Sequence, residues 1–245
     1  MPFEPALWVG TSGWSYREWR GTWYPPELPS SRWLPFYAER FATVELNSSF
    51  YRLPQLEQLQ RWTANVPEGF LFAVKAPRQI THKQRLHHCD ELVREFFQRI
   101  TLLGKRLGPI LWQLPPNLPW HPGVLEQFLA LLPKTLRYAV EFRHPSWDRP
   151  EVWELLRSHG IATVWSSSLR YPTFLQATAD FLYLRFHGLH GGFSHRYTRE
   201  ELLPWVERVC TALRQGMSVY AYFNNTAGGA PDDAANFRTL VLQHL

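Results

Sequence analysis

Eight short apolar runs recur along the 245 residues, and most finish in polar or charged side chains. They are Leu7–Thr11, Thr43–Asn47, Leu71–Lys75, Ile110–Leu114, Tyr138–Arg143, Ile161–Trp165, Phe181–His187 and Ser218–Asn224. Most are followed by a segment with helical periodicity. Short strands alternating with helices predict parallel pairing through crossover helices. Eight such units predict an α/β chain, a single (β/α)8 TIM-like barrel. In that architecture the carboxyl ends of the strands meet at one mouth, where the chemistry is done.

The length suits one barrel over residues 1–245, with little left for a second domain. The hydrophobic fraction of 45% and aromatic fraction of 16% agree with a large core. No stretch reaches the ~18 apolar residues of a membrane span. Met1-Pro2-Phe3-Glu4 lacks the basic and apolar segments of a signal peptide. Cys89 and Cys210 have neither disulfide-framework nor metal-ligand spacing. A cytoplasmic location is therefore expected, and no membrane partner. The net charge of +5 favours anionic ligands or nucleic acid only weakly, because solubility alone accounts for a balance of that size.

Helical periodicity places helices after Ser30 or Ser31, after Pro54, after Asp90 (stripe Leu92, Val93, Phe96, Phe97, Ile100, Leu103), from Pro122, from Pro150 to Gly160, after Thr198 and from about Asp232. Thr198-Arg199-Glu200-Glu201 reads as a capping box. Only residues 166–180 separate runs six and seven, so the helix after strand six must be short or missing.

Side chains alternate faces along a strand. Run two separates Glu45 and Asn47 from Val44 and Leu46. Run five separates Glu141 and Arg143 from Val140 and Phe142, and run seven separates Arg185 and His187 from Leu184 and Phe186. The apolar sets suit the helix layer, so the polar sets face the barrel interior near its mouth. Taken singly, each charge is as well explained by ion pairs that close the barrel end. Taken together, they exceed what a core built from aliphatic layers requires.

Lys75, Arg143 and Arg185 stand against Glu45 and Glu141. Nearby cations lower carboxylate pKa values, which disfavours a neutral general acid of the glycosidase kind. The balance points to a pocket gripping carboxylate or phosphate. A divalent metal on Glu45, Glu141 and His187 is a competing reading, weakened by the three cations. The glycine-bearing loops 187–192 and 224–230 suit a phosphate, although Asp232 and Asp233 already occupy the adjoining helix start. The basic loop 75–85 could steer a polyanion, though such loops are more often simply solvated. Trp14, Tyr16 and Trp19 could stack on a sugar or base, though such residues more often fill their own loop.

Several segments together resemble the YecE-like family, a domain of unknown function numbered 72. They are Gly10–Tyr16, Val44–Pro54, Phe72–Arg78, Leu111–Pro116, Glu141–Trp147, Tyr183–Gly188 and Tyr220–Thr226. The resemblance covers essentially the whole chain and implies a TIM-like barrel. It supplies no reaction and no cofactor.

The sequence is thus read as an enzyme acting on a small anionic molecule, phosphorylated or sugar-like. Glu45 or Glu141 serves as base and His187 as acid or proton shuttle. Lys75, Arg143 and Arg185 hold the anion, Asn47, Gln113 and Asn224 orient hydroxyls, and Trp14 contributes a stacking surface. The alternatives are a nucleic-acid-associated protein using the basic rim and aromatic loop, and a metal-dependent hydrolase or isomerase.

Overall fold

The computed structural model describes residues 6–245. Eight parallel strands, β1 (Leu7–Thr11), β2 (Thr43–Leu46), β3 (Leu71–Lys75), β4 (Leu107–Gln113), β5 (Tyr138–Glu141), β6 (Ala162–Ser167), β7 (Phe181–Phe186) and β8 (Ser218–Phe223), pair in the order β1-β8-β7-β6-β5-β4-β3-β2. The helices are α1 (Trp33–Ala38), α2 (Ser48–Tyr51), α3 (Leu56–Ala64), α4 (Asp90–Ile100), α5 (Val124–Leu129), α6 (Pro150–Ser158), α7 (Arg199–Arg214) and α8 (Ala230–His244). This is the (β/α)8 barrel that the eight runs predict. Residues 168–180 contain no helix, so the missing-helix form of that expectation holds after β6.

The barrel closes between β1 and β2 by an unusual seam. One bridge joins Ser12 to Glu45, and the Gly13 amide donates to the Glu45 carbonyl at 2.8 Å. Below it, the hydroxyl of Tyr37, projected from α1, accepts from the Thr11 amide at 2.9 Å and donates to the Thr43 carbonyl at 3.0 Å. A side chain thus supplies two of the hydrogen bonds that a strand ladder would make between these edges. Gly10 permits the close approach, since a Cβ there would lie 2.2 Å from the Thr43 carbonyl oxygen.

Two apolar layers follow from strand alternation. Val44, Phe72, Val74, Trp112, Val140, Phe142, Leu184 and Phe186 are buried in the large cluster between strands and helices. Ala73, Leu111, Ala139, Val164, Phe181, Tyr183, Tyr220 and Tyr222 form a separate inner cluster. Above that plug the inward positions turn polar: Glu45, Gln113, Glu141, Ser166 and Arg185 are all buried.

Local differences from the sequence reading have physical causes. Ser30–Arg32 is a turn of 3-10 helix, so the α-helix starts at Trp33, and neither serine makes a capping bond. Pro122 precedes α5 instead of opening it, because Gly123 adopts φ +78° and resets the chain. The stripe of α4 ends at Ile100; Gly104 at φ 57° kinks the chain beyond it, and Leu103 is buried from that turn. The capping box forms as expected, with Thr198 and Glu201 each bonding the other's backbone.

Candidate functional site

Arg185 stands at the centre of the mouth. Its Nε and Nη2 donate to Glu45 Oε2 and Oε1 at 3.0 and 2.7 Å, and its Nη1 donates to Glu141 Oε2 at 2.5 Å. One guanidinium therefore clasps carboxylates from β2 and β5 across the barrel. Glu45 also accepts from Ser12 Oγ and from the Tyr183 hydroxyl, each at 2.7 Å. Glu141 Oε1 accepts from Arg143 Nε and Nη2 at 3.1 and 3.0 Å and from His187 Nε2 at 2.9 Å. Burial alone would raise both carboxyl pKa values. The guanidiniums overcome it and hold Glu45 below, and Glu141 well below, the usual range.

The clasp fixes the state of His187. Burial lowers its pKa against the pull of Glu141, favouring the neutral ring. The bond to Glu141 assigns the proton to Nε2, so Nδ1 accepts from the Asn224 amide at 3.1 Å. Of the two readings open for these charges, the geometry displays the mutual ion pairs at the barrel end. Glu45, Glu141 and Arg185 lie at 0–1% exposure, and their partners are mainly one another. Arg185 in particular is enclosed by carboxylates instead of facing a ligand.

A second tier lies nearer solvent. Lys75, Arg143 and Asn224 are half-buried. Lys75 Nζ sits 3.9 Å above the Phe50 ring and makes no hydrogen bond or ion pair among the described residues. Burial first, then Arg185 and Arg143, lower its pKa to about 7, with Glu141 and Glu45 opposing. The Arg143 guanidinium lies 4.0 Å over the Tyr171 ring. His82 packs edge-on to Phe50 at 4.9 Å, meets Gln113 Nε2 at 3.3 Å and bonds Thr81 at 2.8 Å. Burial first, then Lys75 and neighbouring arginines, lower its pKa to about 4.

Two expected members lie elsewhere. The strand ends at Leu46, and Asn47 adopts helical φ −94°, ψ −18°, so strand alternation no longer carries it beside Glu45. Trp14 turns away after Gly13 (φ 83°) and packs against Trp62 and Phe72, the latter on the outer face of β3. Both residues line a groove of about 390 Å³ beside α3, together with Tyr16, Gln58 and Arg61. The Asn47 Oδ1 is buried there without a partner among the described residues.

The aromatic loop mostly fills its own core. Trp19 and Tyr24 are buried, and Trp19 Nε1 donates to the Thr226 carbonyl at 2.8 Å. Glycines in the loops after β7 and β8 allow close backbone packing within and between them: a Cβ at Gly188 would lie 1.9 Å from the Gly192 carbonyl oxygen of the same loop, and one at Gly228 would lie 2.0 Å from that of His195 in the other. Asp233 bonds the Tyr197 amide and Asn225 there, so the expected phosphate cradle is filled by protein groups.

Sequence reasoning missed Ser12, Phe50, His82, Tyr171 and Tyr183 as neighbours of the site. Inward alternation with Arg185 signals Tyr183. Nothing in strand periodicity signals Tyr171, which arrives on the helix-free segment after β6, or His82, which arrives on a π-helical turn at Gln79–Lys83. Nor do the groups proposed for a metal converge on an open point. Arg185 fills the space between Glu45 and Glu141, and no set of three His, Cys, Asp or Glu among the described residues is arranged to hold an ion.

A parallel eight-stranded barrel with a charged clasp at its carboxyl mouth defines the class of protein. The chain belongs to the family described as "Protein of unknown function DUF72", whose profile matches residues 8–244. It is 29% identical to the UPF0759 protein YunF of Bacillus subtilis, over 98% of this chain and 94% of that one. It is 36% identical to the UPF0759 protein YecE of Escherichia coli K12, over 58% of this chain and half of that one. A crystal structure of a DUF72 family protein from Thermotoga maritima superposes with a TM-score of 0.88 at 32% identity, covering 97% of this chain and 99% of the other. No helix among the described residues is long and apolar enough to cross a membrane.

Proposed function

We propose that this barrel is an enzyme acting on a small anionic molecule, phosphorylated or carrying an acid group, at the upper tier of the mouth. The observation that carries the reading is Lys75. It is a half-buried lysine at a strand end, without an ion pair among the described residues, where both nearby carboxylates are already engaged by arginine. A substrate anion would supply the missing countercharge, with Arg143 Nη1 adding a donor. His187 would exchange protons at Nδ1, the nitrogen on the Asn224 side, while Glu141 holds its tautomer. Glu45 and Arg185 would brace Glu141 from below, and Gln113 would hold His82 in place.

The test is a thermal-shift screen of phosphate esters, sugar acids and nucleotides on wild type and Arg143→Met. A ligand of the native state raises the melting temperature, by an amount set by its concentration over Kd. A shift that shrinks in the variant supports the reading, and no shift with any anion refutes it.

One observation favours a second reading. A groove of about 390 Å³ is lined by Arg52, Arg78 and Lys83, none ion-paired among the described residues, against one carboxylate, Glu95, with the Tyr51 ring exposed at its lip. That arrangement would suit the phosphates and a stacked base of a single strand. Steeply salt-dependent oligonucleotide binding would support it, and absence of binding at low salt would reject it.

A further inference from the structure

We propose that Lys75 is a covalent nucleophile, forming a Schiff base with an aldehyde or ketone that also carries a carboxylate or phosphate. The inference deepens the reading of the mouth as an anion-binding site and rests on it.

Three features of the geometry separate Lys75 from a structural or purely electrostatic lysine. A structural lysine pairs with a carboxylate, but here the carboxylate oxygens nearby accept from Arg143, Arg185, His187, Ser12 and Tyr183. The Nζ instead rests over the Phe50 face, a contact that holds an ammonium far less firmly than a carboxylate would. Burial first, then Arg185 and more weakly Arg143, disfavour the ammonium, and Glu141 and Glu45 oppose them without prevailing. A desolvated lysine beside other cations is the established physical route to a free amine at neutral pH. Arg143 then has a second use, holding the substrate's anionic group while the carbonyl carbon meets Nζ.

The step balances without a further reactant. The nitrogen lone pair forms the C–N bond as the carbonyl π pair moves to oxygen. The two amine protons pass to that oxygen, which leaves as water when the C=N bond forms. His187 Nδ1 and bulk solvent carry those protons. The imine withdraws electrons from the neighbouring carbon, so C–C or C–H cleavage there becomes feasible.

The chain has only four lysines, and the other three (Lys83, Lys105 and Lys134) are exposed, so trapping gives a clean answer. Wild-type protein is incubated with pyruvate, glyoxylate or dihydroxyacetone phosphate, reduced with borohydride, digested and mapped by mass spectrometry. The expected result is a reduced adduct on Lys75 with at least one probe, about tenfold above any other lysine, as expected for an oriented site. It should be absent in Lys75→Arg. In parallel, trace acylation of unliganded protein across pH should show Lys75 reactivity inflecting near pH 7. Adducts spread evenly over the lysines, or none with any probe, overturn the inference. The non-carbonyl anion 2-phosphoglycolate separates the two levels. If it raises the melting temperature while no adduct forms, the anion site stands and the nucleophile falls. If it does neither, both fall.

Discussion

Arg185 meets Glu45 side-on across the barrel, Nε to Oε2 at 3.0 Å and Nη2 to Oε1 at 2.7 Å, with both residues almost fully buried. This two-pronged pair links β7 to β2, and the third bond to Glu141 links β7 to β5. Such a group is costly to desolvate, and its strength depends on every donor being matched. Removing Arg185 would leave two carboxylates buried with too little positive charge. Arg185→Met should lose about 3–5 kcal/mol in urea unfolding. Adding Glu45→Gln to it should recover part of that loss. Simple additivity of the two losses would contradict the clasp.

Acid should dismantle the clasp in two stages. The folded pKa of His187 is lowered, so the unfolded chain takes up its proton first, and stability begins to fall as pH drops below the ordinary histidine value of 6.5. The folded pKa values of Glu45 and Glu141 are lowered too, so their contribution is complete above 4.5 and drains away below it. His187→Gln should flatten the upper stage and leave the lower one. A variant with an unchanged curve between pH 4.5 and 6.5 would show that His187 does not titrate this way.

Lys75 carries the opposite sign. Its folded pKa of about 7 lies below the ordinary 10.5, so burying the ammonium opposes folding below pH 7, and the penalty fades as pH rises towards 10.5. Lys75→Met should therefore raise the melting temperature at pH 6, with a gain that shrinks by pH 9. Melting curves at the two pH values decide it, and an equal or growing gain at pH 9 counts against the assignment.

Closure of the barrel makes a separate prediction. Tyr37→Phe strips a partner from both the Thr11 amide and the Thr43 carbonyl. Leaving buried backbone groups unmatched should cost about 1–3 kcal/mol, measurable by denaturation. Gly10→Ala should be worse, because its Cβ overlaps the Thr43 carbonyl oxygen. A Gly10→Ala protein as stable as wild type would mean that the seam relaxes freely.

Trp14 distinguishes the mouth from the outer groove. It packs on Trp62 and Phe72, away from Lys75 and Arg143. Trp14→Ala should lower stability by about 3–5 kcal/mol or less, given its partial exposure, and leave any Arg143-dependent ligand shift intact. Loss of that shift in a folded Trp14→Ala protein would return Trp14 to the site.

Fold and site differ in how far the sequence reveals them. Strand alternation is local, so Val44 against Glu45 and Leu184 against Arg185 can be assigned from neighbours alone. The rule stops where the strand stops, which is why Asn47 departs from Glu45. Partnership is not local. Whether Arg185 greets a substrate or two carboxylates depends on residues 44 and 140 positions away. Residues delivered by irregular backbone, such as Tyr171 and His82, carry no period to read. The aromatic loop illustrates the same limit: Trp14 and Trp19 look alike in sequence, and only packing separates the one that fills the loop's core from the one that lines the groove beside α3.

The seam between β1 and β2 shares a residue with the charged clasp. Glu45 is a rivet with two heads: its carbonyl holds the Gly13 amide at the seam, and its carboxylate anchors the clasp at the mouth. Tightening either head restrains the other. The amide of Gly13 is therefore a built-in gauge: under the proposed anion binding, its exchange with solvent should slow when the ligand is added.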